Sequence, residues 1–257
     1  MDYYKNHMHN ITLIGTKHSE FGKCNSDELY KILESINPEV IFEEMPSILF
    51  DILYSGKCNF NELQKNVKHK LSNNLLDRIS NLPADEFPLE LNCIKKYLQN
   101  HNVEHFPVDI DVNQELSSEM EMILSEFNKH DDDYKKLVNE DKLLTEQYGF
   151  NYLNSKKHLV LHDKMDIREK QLIESNCFHK DKLFRVYEFH KEVLDNRENS
   201  MLKNIYNYSK VNQYNQAVFL IGAGHRKSIT QKIIEYEKIS EIKLNWTIYG
   251  SKQKACL

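Results

Sequence analysis

Two short segments near opposite ends of this 257-residue chain carry the same pattern, Leu13-Ile14-Gly15-Thr16-Lys17-His18 and Leu220-Ile221-Gly222-Ala223-Gly224-His225, both L-I-G-x-x-H. Each closes an aliphatic run, Asn10 to Ile14 and Ala217 to Ile221. Short runs rich in β-branched and aliphatic residues suit strands buried on both faces of a parallel sheet. In open α/β sheets ligands collect at the carboxyl ends of strands, where a glycine lets the backbone turn and approach a bound group. A histidine three residues on then faces the same crevice. With 7 Gly and 12 His in the chain, chance supplies about 0.3 Gly-x-x-His matches. There are two, and both follow expected strands.

The rest of the chain supplies the other layers. Asn25 and Glu28 form a capping-box pattern, and Leu29, Ile32, Leu33 and Ile36 recur at helical spacing before Pro38. Val40 to Phe42 is a second strand that runs into Glu43, Glu44, Met45 and Pro46, which completes a βαβ unit. Ser47 to Gln99 reads as helical, punctuated by Pro83 and by Pro88 near a helix start. Val103 to Ile110 reads as a third strand, with Pro107 directing it to an edge. Gln114 to Tyr208 has helical periodicity at Leu116, Met120, Ile123, Leu124 and Phe127, and again at Leu183, Tyr187, Leu194, Met201 and Ile205. Ser228 to Glu237 is a further helix and Leu244 to Tyr249 a last strand. The expectation is a single α/β domain over 1–257, with a parallel or mixed central sheet of about five strands flanked by helices. Residues 114–208 form a helical insertion or cap within it.

Composition narrows the function classes. Hydrophobic residues are 40% of the chain and charged ones 28%, ordinary for a folded domain. A net charge of -5 argues against a broad nucleic-acid surface. No apolar run approaches the roughly 20 residues of a membrane span, and Met1 to Asn10 is polar. The expected location is therefore the cytoplasm. Cys24, Cys58, Cys93, Cys177 and Cys256 are odd in number and never in C-x-x-C spacing, so reduced, inert thiols are expected. No P-loop, dinucleotide fingerprint or nucleophile elbow is present.

Chemistry is therefore expected where the strands end. His18 and His225 meet a carboxylate from Glu43 or Glu44, since strand alternation lets only one of these face the crevice. Two imidazoles and a carboxylate suit either a divalent metal, Mn²⁺, Co²⁺ or Zn²⁺, or a metal-free acid–base centre. Backbone N–H groups of Gly15, Gly222 and Gly224 are candidates for holding a substrate oxyanion. His158 and His162 share an i, i+4 spacing, but with no H-E-x-x-H pattern around them they are read as cap-surface or supporting residues. His7 and His9 are expected to be exposed ahead of the first strand, and Asp131 to Asp133 to form a solvated loop or helix start.

Four anchors in order resemble the TraB/PrgY/GumN and Tiki family, within the clan of erythromycin esterase-like and ChaN-like proteins. They are Gly15-Thr16-Lys17-His18, Pro38-Glu39-Val40-Ile41-Phe42-Glu43-Glu44-Met45, Arg197-Glu198-Asn199-Ser200-Met201 and Ile221-Gly222-Ala223-Gly224-His225. The register of the second anchor selects Glu44. Asp109 resembles the family's strand-end aspartate, although the arginine that often follows it there is Ile110 here. The resemblance implies a hydrolase of the metal-dependent peptidase or esterase type acting on a peptide or small-molecule substrate. It also implies that Arg197 holds a substrate carboxylate or oxyanion. The alternative it leaves open is a non-catalytic regulatory module that captures a peptide, haem or anionic metabolite. A homo-oligomer is compatible with either.

Overall fold

The computed structural model describes residues 8–54, 88–110, 115–176 and 179–251. Pro83, His7, Cys58, Cys177 and Cys256 lie outside the described residues. The aliphatic runs form strands β1 (His9–Thr16), β2 (Val40–Pro46), β3 (Glu104–Asp109), β4 (Gln216–Gly222) and β5 (Leu244–Ile248). They build one sheet in the order β3-β2-β4-β1-β5, and every pair is parallel. Of the two expected arrangements, parallel and mixed, the sheet is the parallel one. Pro107 sits on β3, an edge strand, where its missing N–H costs no ladder bond on the open side.

The register places the two glycine motifs next to one another, since Gly15 pairs with Ile221 and Thr16 with Gly222. On the other side of β4, Glu43 pairs with Leu220. One residue further along, Glu44 therefore reaches the end of β4.

Helices α1 (Ser26–Ile36), α2 (Ser47–Tyr54) and α3 (Leu89–Asn100) follow the first two strands. The Asn25 side chain caps α1 by accepting from the Glu28 N–H, and Asn37, in the left-handed region, ends it before Pro38. Between β3 and β4 come α4 (Glu115–His130), α5 (Asp132–Tyr148), α6 (Phe150–Leu153), α7 (Lys156–Ser175) and α8 (Lys180–Val211). Asp131 begins α5 as its N-cap, accepting from the Tyr134 N–H. The last helix, α9 (Arg226–Ile239), follows a 3-10 turn at Ala223–His225.

Strand alternation divides the core between the two sheet faces. Leu13, Phe42, Phe219 and Ile221 pack against Met201, Leu202 and Ile205 of α8 and Ile229 and Ile233 of α9. On the opposite face Ile14, Ile41, Val218 and Leu220 pack against Leu29 and Leu33 of α1 and Cys93 and Ile94 of α3. Helices between β3 and β4 hold a small core of their own from Met120, Ile173, Val186 and Tyr187.

Two expectations are corrected. His9 is not an exposed residue ahead of the sheet but the first residue of β1, buried, with Nδ1 2.7 Å from the Tyr214 carbonyl oxygen. His158 is 2% exposed, because the i, i+4 pair on α7 faces inward to α5. Cys24 and Cys93 are buried free thiols, and burial pushes both up, Cys24 to about 12. Among the described residues no helix is long and apolar enough to cross a membrane.

Candidate active site

Alternation along β2 sends Glu43 and Glu44 to opposite sides. Glu43 is buried beside α2, where it accepts from Tyr54 Oη at 3.0 Å and lies 2.8 Å from His105 Nε2. Glu44 points to the strand ends. Its Oε2 accepts the Gly222 N–H at 2.6 Å, and its Oε1 accepts from Arg197 Nη2 at 2.7 Å. His225 Nε2 lies 3.2 Å from the same Oε1.

His225 is held from its other side as well. Its Nδ1 is 2.7 Å from Glu198 Oε1, while Ser228 and Lys232 engage Glu198 Oε2. Arg197 and Glu198 are neighbours on α8, so the helical turn of about 100° per residue sends them to different partners. Arg197 turns to the ends of β2 and β3, where Nε and Nη2 grip Asp109 Oδ2 at 3.0 and 2.6 Å. Glu198 turns to the His225 loop. The result is a buried chain of alternating charge, Asp109–Arg197–Glu44–His225–Glu198.

His18 approaches the same point from the first motif. A Cβ on Gly222 would stand 3.3 Å from Glu44 Oε2, 3.3 Å from His18 Nε2 and 3.6 Å from His225 Cδ2. Three expected site residues therefore converge on one glycine. The His18 side chain is 59% exposed, with Nδ1 3.3 Å from Oε1 of the buried Glu90. It forms the solvent-facing lip of the site.

The charges follow from these contacts. Burial would raise Glu44, but the His225 hydrogen bond and the charges of His225, His18 and Arg197 hold it down, to about 2. Burial would lower His225, and its two carboxylate partners outweigh that and raise it to about 9. Pairing with Glu90, together with the Glu44 charge, raises His18 to about 9. These contacts favour the anionic form of Glu44 and the cationic forms of His225 and His18.

A cleft of about 1370 Å³ opens onto this centre between α4, α7, α8 and the start of α9. His225, Glu198 and Gly224 line it, together with His162, His190 and Tyr187. Of the three glycines expected to hold an oxyanion, only Gly224 is in its wall. The Gly15 N–H is bound to Asn154 Oδ1 at 2.7 Å, and the Gly222 N–H is bound to Glu44. Gly15 is needed for space instead, because a Cβ there would stand 2.4 Å from Cδ of the buried Arg226. Arg197 commits Nε and Nη2 to Asp109 and Glu44 and so fixes the position of the Glu44 carboxylate.

No family model, curated protein or solved structure matches the chain. The residues alone therefore carry the argument. The metal implied at His18, Glu44 and His225 does not fit this arrangement. Both Glu44 oxygens and both His225 nitrogens face protein partners, and a cation there would meet the Arg197 guanidinium on the ligand carboxylate.

No sequence motif points to Glu198, Glu90 or Asn154 as site residues by itself. Glu198 had a signal, its place beside Arg197 in the third anchor. Gly222→Ala tests the convergence directly. The added methyl must displace Glu44 or His18 by a few tenths of an ångström. The expected result is a melting temperature close to wild type by calorimetry, with most of the hydrolytic turnover proposed below lost.

Proposed function

We propose that the chain is a hydrolase of the peptidase or esterase type, in which His225 is the general acid and Glu44 the carboxylate that receives the proton of an attacking water. The observation that carries this reading is the Glu44–His225–Glu198 chain beside His18, at the edge of the cleft and at the carboxyl ends of three adjacent strands. Hydrolysis needs a proton taken from water and another given to the leaving group. As the water oxygen bonds to the acyl carbon, its proton passes to Glu44. The Nε2 proton of His225 goes to the departing amine or alkoxide, and the acyl–heteroatom bond breaks. The proton on Glu44 then returns to His225 across the 3.2 Å contact. Glu198 fixes the ring through Nδ1 and favours its charged form, a role familiar for the third member of such chains. His18, cationic at the lip, faces the developing oxyanion.

The pH profile tests the assignment. His225 is raised above its ordinary 6.5 to about 9. Its proton is thus in place at neutral pH, and the stability its pairing contributes is present in full below 6.5 and lost as pH rises through about 9. Turnover of a chromogenic aryl ester or a quenched-fluorescence peptide library is expected to stay flat through neutrality and fall above about 9. A rate that keeps rising through that range would remove His225 as the acid.

Two imidazolium ions at one cleft also favour a second reading, capture of an anionic ligand without turnover. Native mass spectrometry showing a retained anionic small molecule, with no product from any ester or peptide, would select it.

A further inference from the structure

A second group of histidines lies on the inserted helices, and no step of the reaction proposed above uses it. His158 and His162 stand one turn apart on α7, and Asp141 faces them from α5. Their ligand atoms all lie within 4.8 Å of one another. The two imidazole rings are 4.2 Å apart between centroids, tilted by 38°.

The surroundings of His158 are those of a ligand rather than of a packed core residue. It is 2% exposed, its Nδ1 has no hydrogen-bond partner, and its Nε2 stands 3.8 Å from Asp141 Oδ1. That separation is too long for a hydrogen bond. A buried imidazole nitrogen without a partner is uncommon and asks for an explanation. The carboxylate is already oriented, since Tyr152 Oη donates to Asp141 Oδ1 at 2.9 Å, the kind of outer contact that fixes a metal-binding carboxylate. His162 completes the set on the cleft side, where it lines the wall and places Cε1 3.9 Å from the position of a Cβ on Gly224.

We infer that Asp141, His158 and His162 form a site for a divalent transition-metal ion, Zn²⁺ first among them, held between α5 and α7 with its open side toward the cleft. Two imidazoles and one carboxylate are the donors of borderline ions, whereas Mg²⁺ and Ca²⁺ select sites made of oxygen. Three protein ligands leave the fourth position of a tetrahedral ion for water or a bound molecule. Lys17 Nζ, 3.4 Å from Asp141 Oδ2, now supplies the positive charge beside the carboxylate. Its side chain is 37% exposed, free to swing outward as the cation enters. Lys17 immediately precedes His18, so occupancy of this site releases a residue of the first Gly-x-x-His loop from the helical block.

The experiment is a titration of the full chain, purified without a metal-affinity tag and stripped with chelator, using Zn²⁺ against a chromophoric competitor and Co²⁺ by visible absorption. Wild type is expected to take up one equivalent and to give the intense bands of tetrahedral Co²⁺. His162→Ala and Asp141→Asn are expected to weaken binding by more than about tenfold while keeping the wild-type circular dichroism. Asp141→Asn preserves the shape of the buried carboxylate, which guards against a simple folding failure. Lys17→Ala, which removes the competing cation, is expected to bind more tightly than wild type. The His18→Ala/His225→Ala double variant is expected to bind like wild type, which separates this site from the acid–base centre. No uptake by wild type, retention by both His162→Ala and Asp141→Asn, or loss in the double variant would each overturn the assignment.

Discussion

Alanine in place of His225 is expected to lower the hydrolytic rate by roughly 10²–10⁴-fold, the range removed with a general acid–base group, without unfolding the chain. The fold survives because each carboxylate keeps another partner. Glu44 retains the Arg197 guanidinium and the Gly222 N–H, and Glu198 retains Ser228 and Lys232. Glu198→Gln is the companion measurement. The amide still accepts from Nδ1 but no longer supplies the charge that helps hold His225 protonated. The high-pH limb of the profile should therefore move down from about 9 toward neutrality, while the maximal rate falls less than in His225→Ala. A residue with a merely structural role would lower activity without moving that limb. If His225→Ala retains wild-type turnover, the acid–base reading is wrong.

The parts of this molecule legible in its sequence are those that depend on near neighbours. The apolar runs, the Asn25 cap, the stop at Pro38 and the placement of Pro107 on an edge strand all follow from a few consecutive residues. The pairing of the two Gly-x-x-His motifs was legible because their shared pattern places both at strand ends. What sequence pattern could not supply is which strand lies beside which. The position of β4 between β2 and β1 is what brings Glu44 to Gly222, and nothing in either segment specifies that neighbour. Asp109 and Arg197 are joined across the fold in the same way, by the packing of α8 along β3. The inward orientation of His158 was illegible for a related reason. The i, i+4 spacing is visible on one helix, but Asp141 comes from another, and only their packing makes the pair face inward.

Arg197 is where the site and the stability of the fold meet. Its guanidinium lies between Asp109 and Glu44, whose side chains are 1% and 5% exposed. Arg197→Met keeps most of the aliphatic stem and leaves two buried carboxylates without that cation. Breaking a buried pair in this way costs about 3–5 kcal/mol. For a chain of this size the melting temperature is expected to fall by roughly 6–20 °C, at about 2–4 °C per kcal/mol. The loss should also depend on pH with a definite sign. Arg197 is one of the charges that hold Glu44 down to about 2, so the wild-type carboxylate contributes stability above its ordinary 4.5 and loses it as pH falls through about 2. In the variant that depression is relieved in part, so Glu44 contributes less stability above 4.5, and the difference from wild type shrinks as pH falls toward 2. The drop in melting temperature should therefore be larger at pH 7 than at pH 3. Adding Asp109→Leu to Arg197→Met removes one of the orphaned charges and should recover part of the loss, since an apolar replacement for both partners avoids the cost of stranding one. Scanning calorimetry of the wild type and the two variants at both pH values decides it. An unchanged melting temperature would make Arg197 an ordinary surface ion pair, and the fixed position of Glu44 would then have to come from Gly222 and His225 alone.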